Sequence, residues 1–309
     1  MNNTEGALLR VAGVAGLLLS TTSAFAATSG SHYPIGGEGV AAGTPPPPGI
    51  HYRMYNTWYN ADALTNDNGD DTGLDVDINA YVQVHRLVHV TEKKLFGANW
   101  AYNVIVPMIN KETSIADFGV DDSTSFALGD VVLEPLALFW FRDNYEAALG
   151  LSVIVPTGDY DPADAASPGM GYWSGMLTLG GTYYLDSDKS WSVSGLTRTL
   201  VHSEQDDTDI RPGAEFIIEG GIGKQFALDE HWLLRPGLSY CASWQISDDS
   251  RDGHGTLAGE RKTGYGIGGE VNVFYLPWLL QGNLRYVNEF GTKNTAKGSS
   301  FVFTLTKSF

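Results

Sequence analysis

Phe301-Val302-Phe303-Thr304-Leu305-Thr306-Lys307-Ser308-Phe309 decides the reading of this chain. Its odd positions are mostly large and apolar, and its even ones mostly small or hydroxylated. An extended chain carries successive side chains on opposite faces, so this is a strand with one greasy and one polar face. The same alternation recurs upstream. Trp232, Leu234, Leu238, Tyr240, Ala242 and Trp244 oppose Arg235, Ser239, Cys241, Ser243 and Gln245. Trp278, Leu280, Leu284 and Tyr286 oppose Gln281, Asn283 and Arg285. Leu74, Val76, Ile78, Ala80, Val82 and Val84 oppose Asp75, Asp77, Asn79, Tyr81 and Gln83.

Worked outward, the pattern predicts twelve strands, at about 50–61, 74–90, 96–110, 128–142, 145–156, 172–186, 190–202, 213–228, 231–246, 263–276, 278–290 and 299–309. Short connections fall near Glu92–Lys94, Arg142–Asn144, Ser187–Lys189, Asp229–Glu230 and Pro277. They alternate with long ones at Asp62–Gly73, Glu112–Ser125, Thr157–Gly171, Ser203–Pro212, Ser247–Lys262 and Gly291–Gly298. An even number of long strands with one long-loop rim describes an all-β, transmembrane, antiparallel up-and-down β-barrel with short periplasmic turns and long acidic extracellular loops. A secreted β-sandwich is the rival, but its strands are usually half this length. Aromatics also gather at the strand ends. Phe139, Phe141, Tyr145, Tyr183, Trp191, Trp232, Tyr275 and Trp278 mark one rim, and Trp58, Trp173, Trp244, Tyr265 and Phe290 the other, as membrane girdles do. Two details resist: Pro135 and Pro236 fall inside strands, and Leu196 and Leu200 share a face with Arg198.

The chain has 309 residues, 12% aromatic and 18% charged, with 19 Lys and Arg against 36 Asp and Glu, a net charge of −17. That many aromatics excludes a disordered acidic chain. The acidity argues against nucleic acid as a partner. The single Cys241 excludes a disulfide framework and a cysteine zinc site. Arg10, the apolar run Val11–Leu19 and Ala24-Phe25-Ala26 read as a secretory signal peptide over 1–26, cleaved near Ala26 after Sec-type export. Residues 27–49 form a Gly- and Pro-rich arm ending in Pro45-Pro46-Pro47-Pro48-Gly49, either a stiff linker or a plug folded into the barrel. The barrel occupies 50–309, and the expected location is a Gram-negative outer membrane.

Nineteen of the 36 acids lie in the long loops, where they keep the loops solvated or meet divalent cations among the anionic sugars of lipopolysaccharide. Asp67-Asn68-Gly69-Asp70-Asp71 faintly resembles a calcium loop but lacks the distal Glu. If the apolar face meets lipid, parity puts Arg53, Asp75, Asp77, His85, Glu134, Glu146, Arg198, Glu215, Glu219, Arg235, Glu270, Arg285 and Glu289 in the lumen. Those two-signed charges either pair to fill the barrel or line a solute path. Arg235 and Arg285, among Ser, Gln and Asn, are the candidates to meet a polar or anionic solute group. No catalytic, cofactor-binding or metal-ligating constellation is predicted. The seven histidines are scattered, and His202 beside Ser203 points to the opposite face of a strand.

His32-Tyr33-Pro34-Ile35-Gly36-Gly37-Glu38-Gly39-Val40, with Pro46-Pro47-Pro48-Gly49, resembles the opening of the outer-membrane family associated with the meta-pathway of phenol degradation. Gly97-Ala98-Asn99-Trp100, Val106-Pro107, Gly129-Asp130 and Val155-Pro156-Thr157-Gly158 are similar to its early strands. The resemblance implies a barrel and suggests passive uptake of small hydrophobic or aromatic solutes, with no site residues to carry over. The terminal Phe309 resembles the signal read by the barrel-assembly machinery. The alternatives are a structural or adhesive barrel acting through its acidic loops, and an outer-membrane lipid-modifying enzyme.

Overall fold

The computed structural model describes residues 31–251, 255–256 and 261–309. The signal-peptide reading of 1–26, the start of the arm, Asp252 and Glu260 lie outside the described residues. Twelve long strands follow one another: β1 (Gly49–Leu64), β2 (Val76–Leu95), β3 (Ala98–Ile115), β4 (Val131–Phe141), β5 (Tyr145–Val155), β6 (Ser174–Tyr184), β7 (Trp191–His202), β8 (Glu215–Lys224), β9 (Trp232–Gln245), β10 (Thr263–Tyr275), β11 (Leu280–Lys293) and β12 (Ala296–Ser308). Each pairs antiparallel with its sequence neighbours. β12 returns to β1, from Ser308 opposite His51 to Ala296 opposite Leu64. The expected twelve-stranded up-and-down barrel is therefore closed, and closure removes every sheet edge, as a bilayer requires. No α-helix occurs among the described residues.

Three connections differ from the expectation. β2 runs past Glu92–Lys94, and its turn is Phe96-Gly97, both at positive φ, the two-residue hairpin geometry that suits strand twist. The stretch 112–125 is no loop: β3 continues to Ile115 and Val120–Leu128 pairs back onto it as a ribbon. Gly291–Gly298 shrinks to a two-residue turn at Asn294-Thr295. The strand prolines have local solutions. Pro135 sits in a bulge where the register slips between Leu133 and Leu136. Pro236 falls where pairing to β8 lapses after Gly223–Gly237.

Outward side chains form the greasy face, among them Leu151, Val153, Leu177, Leu179, Leu238 and Ile267, all exposed. Trp191, Trp232 and Tyr183 ring the short-turn end, and Trp58, Trp173 and Phe290 the other. Phe139 departs from its expected girdle and is buried inside.

Candidate functional site: an arm-filled lumen and its cavity

Residues 31–46 lie inside the barrel, bonded to its wall from the long-loop end downward, and Pro47 and Pro48 are exposed just before β1. His32 is fully buried. Its Nε2 donates to Asp130 Oδ2 at 2.9 Å, and its Nδ1 accepts from the Ser174 hydroxyl at 2.6 Å. Ser174 Oγ in turn accepts from His202 Nδ1 at 2.6 Å. Asp130 also accepts the backbone N–H groups of Gly158 and Met170, which ties the 156–173 loop to the same point. Asp–His–Ser order alone does not make a hydrolase. Ser174 is 2% exposed and held between two imidazoles, so the chain acts as a latch between arm and wall. Ser203 does not join it: its hydroxyl accepts from Trp173 N–H and donates to Glu204 O.

Below the latch, Ile35 joins one buried apolar cluster with Val132, Ile154, Met176, Leu200, Ile217, Cys241 and Val287, one residue from each of seven strands. This apolar layer crosses the lumen. It explains Leu200 beside Arg198 on one face: both point inward, Leu200 to the arm's apolar residue and Arg198 to its polar neighbours. Cys241 lies in the layer as a buried free thiol.

Charges form the next layer. Glu219, fully buried, accepts from the Tyr33 hydroxyl at 2.7 Å, from Arg198 Nη1 at 2.7 Å and from Glu38 N–H at 3.2 Å. The Arg198 guanidinium stacks 3.7 Å from the Tyr33 ring centroid. Glu38 of the arm answers Arg53 at 3.2 Å, Arg86 at 3.8 Å and the Tyr55 hydroxyl at 2.7 Å. Arg285 pairs with Glu270 at 3.3 Å and donates to Gly37 O at 2.7 Å. Val40 then seats over Gly221, Gly223 and Gly237, where the wall has no side chains to hold it off, and Gly43 lies directly on the Gly181 backbone.

Between the lower arm and the wall is a cavity of about 370 Å³ that reaches the short-turn rim at Leu276, Leu279 and Ser308. Pro45–Pro47, Phe139, Met176, Leu196 and Phe274 give it a mainly apolar wall. That volume falls in the range of small-molecule sites. Among the cations lining it, Arg53, Arg86 and Arg198 are engaged with Glu38 or Glu219. Arg235 has no carboxylate within 4.0 Å among the described residues; it donates to Gln225 Oε1 at 2.6 Å and lies 5.1 Å over Phe274.

Of the predicted lumen residues, Arg53, Arg198, Glu219, Arg235, Glu270 and Arg285 thus face inward. So do Glu134, bonded to Asn103 and Ser152, Glu215, bonded to Ser31, and Glu289, bonded to Tyr59 and Gly298 N–H. Glu146 is inward near Tyr184 at the short-turn end. Asp75, Asp77 and His85 do not line the lumen. Asp75 is exposed in the loop before β2, and Asp77 and His85 alternate outward, because Val76, Ile78, Ala80, Val82 and Val84 are the buried, inward side of β2. Arg285 is committed to the arm rather than open to a solute. Parity also missed Arg86, which shares the inward side with those valines, and Glu38 and His32, whose roles need the arm in place. The Asp67–Asp71 segment folds as a turn around Asn66, whose Oδ1 accepts the N–H groups of Asn68 and Asp70. No group of three or more His, Cys, Asp or Glu among the described residues could hold a metal ion.

This geometry is similar to that of solved outer-membrane proteins. An outer membrane channel from Pseudomonas putida F1 superposes with a TM-score of 0.72 at 17% identity, over 87% of this chain and 98% of that one. The β domain of the Bordetella autotransporter BrkA gives 0.48 at 13%, over 84% and 99%. The CymD monoaromatic hydrocarbon channel gives 0.39 at 10%, over 85% and 89%. No curated protein matches the sequence. The first of these likenesses shows the fold. Residues 61–305 match the family model described as "Putative MetA-pathway of phenol degradation", and over that span the chain belongs to this family of outer-membrane β-barrels.

Proposed function

We propose that the protein is a passive outer-membrane channel for small hydrophobic or aromatic compounds. The cavity carries this reading: its mainly apolar wall and about 370 Å³ suit a single aromatic ring, and it opens toward the periplasmic rim. The family description and the channel named among the similar structures support it. Arg235 anchors the solute's polar or anionic group, because it is the cavity cation without an acid partner, and its stacking on Phe274 leaves a flat edge for a ring. The arm is the plug. Solute passes when residues 31–46 shift, and no energy-coupling motif is needed. Phe309, whose N–H closes the seam on Ile50 O at 2.9 Å, is the residue offered to the barrel-assembly machinery, and the acidic loops face lipopolysaccharide.

The test is entry of phenolic against aliphatic solutes into liposomes carrying the refolded mature chain. Faster phenolic entry is expected. Entry no faster than into empty liposomes overturns the channel. Arg235→Gln is expected to slow hydroxylated or carboxylated aromatics several-fold while leaving toluene entry unchanged; equal effects on both remove Arg235 from the solute path.

A further inference from the structure

Arg86 stands apart from the other lumen arginines. Arg198 donates to Glu219, Arg285 to Glu270 and Gly37 O, and Arg235 to Gln225. Arg53 Nη1 donates to both Glu38 oxygens, at 3.2 and 3.3 Å, and its Nε to the Thr306 hydroxyl at 3.0 Å. Arg86 donates to no acceptor among the described residues. Its Nη1 lies 3.8 Å from Glu38 Oε1, beyond hydrogen-bond reach, and its Nε is buried without a partner. Arg86 is also the direct cross-strand neighbour of Arg53. Like charges opposite each other in a sheet repel, so the pair calls for an anion between them. Here that anion is Glu38 of the arm.

Glu38 fills the place incompletely. A carboxylate and a guanidinium meet best fork on fork, through two parallel N–H···O bonds. Both Glu38 oxygens share one nitrogen of Arg53, and neither bonds Arg86. The backbone sets where this side chain ends, because Glu38 N–H is bonded to Glu219 and Gly37 O to Arg285. A free carboxylate carries no such tether. The neighbouring wall selects what that carboxylate is attached to. Ile105 lies directly across from Arg86 on β3, and Val132 across from Ile105 on β4. Both line the cavity, as Glu38, Arg53 and Arg86 do. An apolar wall beside two guanidiniums fits a ring bearing a carboxylate better than an inorganic anion. Arg235 is a separate station, whose guanidinium bonds Gln225 and stacks on Phe274.

We infer that Arg53 and Arg86 form a carboxylate site in which Glu38 stands in for a solute, and that an aromatic carboxylate displaces Glu38 and frees the lower arm, residues 38–46. This rests on the channel reading and names the solute class that opens it. A tethered side chain competes at an effective concentration of roughly millimolar, so millimolar solute suffices. The test uses the mature chain in liposomes, carrying Ala42→Cys on the arm, with a water-soluble maleimide. Benzoate is expected to speed labelling about tenfold, the scale of one charge-assisted contact, and benzyl alcohol, the same ring without the charge, to leave it unchanged. The wild-type chain, with only buried Cys241, is the blank. Equal effects of the two solutes, or none from either, overturn the site. Titration calorimetry with benzoate reads the competition. Glu38→Gln is expected to tighten benzoate binding about tenfold and Arg86→Gln to weaken it by a similar factor, each keeping the heat-modifiable gel shift of a closed barrel. If Glu38 only braced the arm, Glu38→Gln would leave benzoate affinity unchanged, and that result overturns the competition. Phenol entry with no benzoate effect on Ala42→Cys overturns the site and leaves the channel; benzoate-dependent labelling without entry of any aromatic overturns the channel and leaves the site.

Discussion

Glu219 shows how one buried side chain holds arm and wall together. It receives a phenol, a guanidinium and a backbone N–H in a site with no water contact. A buried pair is expensive to break from one side, because the partner left behind keeps its charge without an answer. Glu219→Gln strands Arg198 under the Tyr33 ring and is expected to cost about 3–5 kcal/mol, the usual range for such a break. Urea unfolding followed by tryptophan fluorescence checks it, and a change below about 1 kcal/mol would mean that Arg198 finds another partner. Gly43 tests the same contact from the arm. A Cβ there meets the Gly181 backbone, so Gly43→Ala is expected to lift the arm and raise solute entry while the barrel's own unfolding midpoint stays put. Lowered entry would mean that the arm guides solute instead of blocking it.

At the scale of elements, β2 is the informative case. Its alternation is legible in the sequence, and the strand expected at about 74–90 forms, but it runs on to Leu95, twenty residues from Val76. Which side faces lipid is not legible. The rule that apolar means outward holds for β9 and β12, whose inner neighbours are polar. It inverts for β2, because the lumen there is dry: Val76, Ile78, Ala80, Val82 and Val84 pack with Tyr59, Ile109 and Tyr33 of the arm. Asp77 and His85 were placed inside by that rule, and Arg86 was missed by it. A spin label at position 83 is therefore expected to be reached by lipid-dissolved oxygen, and one at position 82 shielded; the reverse pattern would restore the polar-inward reading of β2. Leu196 and Leu200 on β7 follow the same logic, since both apolar residues point at the cavity or at Ile35.

For the whole molecule, strand number and arm belong together. A barrel of eight strands is filled by its own side chains, and one of twelve encloses more space than they fill. Here the space is taken by residues 31–46, with an apolar layer above a charged one. Removing the arm is expected to turn a nearly silent barrel into an open pore, with a clear step up in single-channel conductance in planar bilayers. An unchanged conductance would show that the wall's side chains close the lumen without it. The mean hydropathy of −0.12 follows from the same architecture. Membrane contact uses every second residue of each strand, and the acidic loops offset it in the average.

Alternation and turn chemistry fix the number of strands, their antiparallel order and the two rims, because both are local and repeat along the chain, and the motifs from His32 to Gly158 carry the family resemblance. Tertiary structure alone decided which side of β2 faces inward, that Glu38 answers Arg53 and Arg86, that His32 closes on Asp130 and Ser174, and that Arg235 is left open to the cavity. Those outcomes depend on what lies across the lumen. Closing the barrel brings the arm into hydrogen bonds with residues up to 248 positions away, and the environment it creates there sets the meaning of each inward residue.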